Sequence, residues 1–167
     1  MRIERYSFGK LSVFWVRRVV ITPELLQRLI RLFASRYIVV ALTALDLHGD
    51  LMDRVNENPS VLYCAPPDQE SITAETLIAA DTEEVLSLAN LISVCDARSI
   101  TFYGLDKSLP VDDYQAFRGT QPEALVINGE VKYCVSAINE ECVISIMFNR
   151  SIIEAKTIAA ELKALFK

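Results

Sequence analysis

Histidine occurs once in the 167 residues, glycine five times and cysteine four times. Each shortage excludes a chemistry. A Ser-His-Asp or Cys-His arrangement would have to be built on His48, because the chain has no other histidine. There is no Gly-x-Ser-x-Gly elbow to expose a nucleophile. The glycines stand apart at Gly9, Gly49, Gly104, Gly119 and Gly129, so no glycine-rich loop can cradle a phosphate. The cysteines, Cys64, Cys95, Cys134 and Cys142, form no Cys-x-x-Cys pair, and one histidine cannot complete a zinc set at finger spacing. No cofactor is expected.

Long apolar runs are also missing. Leu11 to Val16 is stopped by Arg17-Arg18, and Ile38 to Leu45 is far shorter than the roughly 20 residues of a membrane span. With no secretory leader in view, the expectation is a cytoplasmic protein with no membrane partner. In that reducing setting the cysteines, each within an apolar stretch, read as buried thiols acting as small hydrophobes. A Cys134–Cys142 bridge across adjacent strands is conceivable in geometry, but the compartment disfavours it.

Apolar residues make up 51% of the chain and charged residues 23%, which excludes intrinsic disorder. A chain of this length can bury about 70% of its extended surface, enough for one domain over residues 1–167 with no metal or disulfide. The net charge of −5 is unevenly spread. Residues 1–36 carry eight basic and two acidic side chains (+6), residues 37–123 four and fifteen (−11), and residues 124–167 five of each. The acidic middle repels phosphate, which disfavours nucleic acid as partner and favours a basic protein.

Residues 10–21, rich in β-branched and aromatic side chains, read as a strand. Thr22-Pro23-Glu24 starts a helix over about 22–35 by cap, first-position proline and dipole. Tyr37 to Leu45 suits a central strand buried on both faces. Val61 to Ala65 is a short strand, and residues 66–80 are open between strand and helix. Asp81 caps a helix over about 81–93, Ser99 to Tyr103 is a strand, and 105–121 is a loop with a helical turn. Ala124 to Ile127 meets Asn128-Gly129, a hairpin signal, and the strands 131–137 and 142–148 complete a C-terminal meander. Ser151 with Glu154 makes a capping box for a helix over about 151–166. The fold class expected is α+β, a mixed and mostly antiparallel sheet with about three amphipathic helices.

The segment Asp46-Leu47-His48-Gly49-Asp50-Leu51-Met52-Asp53-Arg54 follows a buried strand, where catalytic loops often sit. Its Asp-x-His and Gly-Asp-x-x-Asp elements resemble pieces of the metallophosphoesterase signature. That family keeps them on separate loops and adds further histidines to hold two metals. Here the elements overlap and no second histidine exists, so the activity is not expected. A single-cation site of Asp46, His48, Asp50 and Asp53 is the reduced version of the same idea. The plainer reading is a solvated acidic loop or short helix.

Two function classes follow. The first is a non-catalytic protein-binding module: an acidic inhibitor or immunity-type protein neutralising a basic partner such as a toxin. Its contact residues would be Asp46, Asp50, Asp53, Asp112 and Asp113. The second is a small-molecule or metal-binding, enzyme-like domain using the Asp-rich stretches 46–53 and 105–121. Arg17-Arg18 beside Phe14 and Trp15 admits two readings: a structural pairing with a carboxylate, or an aromatic-plus-arginine interface hot spot. In a strand the two arginines would point to opposite faces.

Overall fold

Among the described residues, eight strands form one sheet in the computed structural model, in the order β1-β2-β8-β7-β6-β3-β5-β4. The structure describes residues 2–33, 35–46, 49–65, 75–93, 95–114, 117–118, 120–138 and 141–166. The strands are β1 (Arg2–Phe8), β2 (Leu11–Arg17), β3 (Tyr37–Asp46), β4 (Leu62–Cys64), β5 (Glu75–Asp81), β6 (Asp96–Leu105), β7 (Tyr133–Ile138) and β8 (Val143–Asn149). The helices are α1 (Pro23–Leu32), α2 (Gly49–Glu57), α3 (Thr82–Ser93), α4 (Val111–Tyr114), α5 (Pro122–Asn128) and α6 (Ala155–Leu165). The fold is α+β. Every strand pairing among the described residues is antiparallel, which corrects the expected mixed sheet. No helix among the described residues is long and apolar enough to cross a membrane.

The centre of the sheet is the apolar run. In β3, Ile38, Val39, Val40, Ala41 and Leu42 are all buried, alternating between two cores. On one face, Ile38, Val40 and Leu42 pack under α1, α2, α3 and α6 through Leu26, Leu51, Val85 and Ile158. On the other, Val39 and Ala41 share a smaller core with Tyr114, Phe117, Leu125 and Val126 from the α4–α5 region. Side-chain alternation along each strand divides the residues between these faces.

Two helix starts form as their residues dictate. Thr22 Oγ1 accepts the Leu25 N–H at 3.2 Å with Pro23 in the first turn, and Asp81 Oδ1 accepts the Glu84 N–H at 2.9 Å. The third does not. Helix α6 begins at Ala155 rather than Ser151, so no Ser151–Glu154 capping box forms. Residues 150–153 instead make turns around the buried Asn149, whose side-chain oxygen accepts the Ser151 N–H at 3.0 Å.

The largest correction is at Ala124–Ile127, a helix and not the first strand of a meander. Four apolar residues fit a buried strand or a helix face equally well. Pro122 starts the helix, and Gly129 ends it in the left-handed region at φ 77°, donating to the Leu125 and Val126 carbonyls. Asn128-Gly129 is therefore a helix stop, not a hairpin turn. The pair β7–β8 does form a hairpin, but β6 and β2 flank it, so it offers no free edge.

Strand β1 was not foreseen, because Arg2, Glu4 and Arg5 break its apolar pattern. It returns into β2 through the two-residue turn Gly9-Lys10, with Gly9 at φ 55°. Strand β2 ends at Arg17. Arg18, at φ 61°, leaves the strand, so the two arginines do not alternate across the sheet. Of residues 66–80, Glu75–Asp81 are strand β5, and 66–74 lie outside the described residues.

Cys64, Cys95 and Cys134 are buried as expected, whereas Cys142 is exposed. Cys134 opposes Met147, and Cys142 lies in the turn before Val143, the first residue of β8. The four strand steps from Met147 back to Val143 alone span about 14 Å, well beyond the roughly 7 Å Cα separation a disulfide can span.

Candidate functional site

The five aspartates singled out in the sequence do not share a surface. Asp50 and Asp53 are exposed on α2, whose Leu51 and Val55 pack into the larger core. Asp112 and Asp113 are exposed on α4, whose Tyr114 packs into the core on the opposite face. Asp46 is the last residue of β3, and His48 lies outside the described residues. Tyr114 stacks near Tyr37, at the other end of β3, with centroids 6.3 Å apart. Ten strand residues, about 30 Å, separate that end from Asp46. The sheet thus divides the proposed contact set. No group of three or more His, Cys, Asp or Glu among the described residues is placed to hold a metal ion.

A different site emerges where α5 leaves part of its face uncovered. A groove of about 490 Å³ runs over β2, β8 and β7, between α5 and the β1 edge. Its apolar floor includes Val13, Val143 and Met147, with Ser136 and Ser145 between them. The register places Ser136 opposite Ser145, and the Ser136 hydroxyl shares a 2.6 Å hydrogen bond with Thr101. Three aromatic side chains, Tyr6, Phe8 and Trp15, form the β1–β2 wall and stay 38%, 63% and 37% exposed. Glu123 of α5 and Glu141 of the β7–β8 turn stand on the rim.

Hairpin geometry puts the wall together. The register opposes Arg2 to Arg17, Glu4 to Trp15 and Tyr6 to Val13, so these residues share one face. The Glu4 carboxylate accepts from the Tyr6 hydroxyl at 3.1 Å and from Arg17 Nε at 3.2 Å, and Arg2 Nε lies 2.9 Å away. The Arg17 hydrogen bond is the main reason the Glu4 carboxyl is held below its ordinary pKa. Arg17 also places its guanidinium 5.2 Å from the Trp15 ring centre. Tyr6 meets Trp15 at 5.1 Å with planes tilted by 57°. Arg17 therefore pairs with a carboxylate, as the structural reading expects, and also lies over an aromatic ring.

Sequence reasoning reached Trp15 and Arg17 but missed Glu4, Tyr6, Phe8, Glu123 and Glu141. The usable signal was Phe8-Gly9-Lys10-Leu11, a Gly-X turn between two β-rich runs. Glu123 was hidden by reading 105–121 as loop and 124–127 as strand. The chain matches no protein-family model, no curated protein and no solved structure.

Proposed function

We propose that the protein is a non-catalytic protein-binding module whose contact surface is the groove beside α5, not the scattered aspartates. One observation carries this reading: Tyr6, Phe8 and Trp15 stay partly exposed while the Glu4–Arg17 pair orients Trp15. Exposed aromatics and arginine on a rigid sheet are the composition of interface hot spots.

Size favours a chain segment over a whole domain. Three strand spacings from β1 to β7 give a width of about 14 Å, and Leu11 to Arg17 gives a length of about 20 Å. That face is well below the roughly 800 Å² a standard interface takes from each partner.

The test is site-selective photo-cross-linking in the native cell. A cross-linking residue at Phe8 should give a discrete adduct, one at Asp112 should not, and Trp15→Ala should lower affinity for the recovered partner at least about tenfold. An adduct from Asp112 alone, with Trp15→Ala neutral, would return the interface to the acidic surface.

A further inference from the structure

We propose that the segment seated in this groove carries a lysine or arginine beside aliphatic residues. The inference rests on the groove being the binding surface and adds the chemistry of its occupant. The aliphatic part follows from the floor of Val13, Val143 and Met147. The cationic part follows from comparing what each sign of charge would meet.

A cation entering the groove meets two carboxylates, Glu123 and Glu141, neither in an ion pair among the described residues. It also meets the rings of Tyr6 and Phe8, whose electron-rich faces attract positive charge, while Arg17 already stands over Trp15. An anion would meet the same carboxylates and rings as repulsion. Arg17 is the one cation in the lining and would attract an anion and repel a cation, but its guanidinium is already hydrogen-bonded to Glu4 and stands over Trp15. The balance favours the cation. The long methylene stems of lysine and arginine also suit a site with an apolar floor and an acidic rim.

Trp15 is the chain's one tryptophan, so intrinsic emission reads this site alone. The probes are three capped heptapeptides alternating leucine with lysine, glutamine or glutamate, titrated while Trp15 emission is recorded. The leucine–lysine peptide should shift the emission saturably and bind about tenfold tighter than leucine–glutamine, and leucine–glutamate should give no shift. Glu123→Gln with Glu141→Gln should remove the lysine preference while keeping leucine–glutamine binding. Asp50→Asn with Asp53→Asn, the same change in net charge away from the groove, should leave the preference intact. Equal binding of the lysine and glutamine peptides would overturn the cationic assignment and leave the groove standing. Equal loss of preference in both double variants would overturn it too, by showing general attraction to an acidic protein. Silence with all three peptides would overturn the assignment and the groove reading together.

Discussion

The Tyr133 ring fills the space that a β-carbon on Gly104 would need, with Cε1, Cδ1 and Cζ as its nearest atoms. The two residues are opposed in the β6–β7 register. Tyr133 is fully buried, stacks on Phe33 with centroids 4.3 Å apart, and shares a 3.1 Å hydrogen bond with the buried Ser35 hydroxyl. Nothing there can yield without breaking another contact. Gly104→Ala is expected to destabilise the fold by about 2–3 kcal/mol, the upper part of the overpacking range. A chemical-denaturation midpoint measures it; a change below about 0.5 kcal/mol would show that the ring can move aside.

Gly129 tests the corrected helix. Its φ of 77° is one that L side chains rarely adopt, and no heavy atom lies within 4 Å of a β-carbon there. The penalty for Gly129→Ala is therefore backbone strain alone, about 1 kcal/mol, with asparagine losing less. Stability curves for the two variants should fall in that order. Alanine as stable as glycine would mean that residues 122–128 do not end as a helix.

The Glu4 cluster predicts an acid transition local to the groove. Its carboxyl is held below the ordinary value of 4.5, chiefly by the Arg17 hydrogen bond. A lowered carboxyl contributes stability that is fully present above the unfolded value and is lost as pH falls through the folded one. Trp15 emission should thus stay constant down to about pH 4.5 and change below it, as Arg17 is released. Glu4→Gln should abolish that step. A midpoint at or above 4.5 would contradict the pairing.

Glu75 carries the opposite sign. Burial pushes its carboxyl up, with Arg118 opposing the shift to a lesser degree. Its charged form is therefore disfavoured by the fold at neutral pH. Glu75→Gln is expected to raise the melting temperature at pH 8 by a margin that shrinks as pH falls and wild-type Glu75 protonates. A lowered Tm at pH 8 would mean that the Arg118 attraction outweighs the burial.

What the chain disclosed early and what it hid have physical causes. Thr22-Pro23 and Asp81 announced their helices because capping is local chemistry, and Tyr37 to Leu45 announced a central strand because burial on both faces leaves an apolar run. Ala124–Ile127 misled because four apolar residues satisfy two periods, and the deciding cap at Gly129 also spells a hairpin turn. The Asp46–Asp53 and Asp112–Asp113 groups looked like one surface because a count of charges does not show which side of the sheet each helix covers. The groove was hidden for the same reason. Its walls come from residues 6–17, 123 and 141, brought together only by strand order.

The most direct test is nuclear magnetic resonance mapping of the protein with the leucine–lysine heptapeptide. The account predicts shift changes concentrated at Tyr6, Phe8, Trp15, Glu123, Ser145 and Met147, with Asp50, Asp53, Asp112 and Asp113 unmoved. Changes centred on α2 or α4, with Trp15 and Met147 silent, would contradict it.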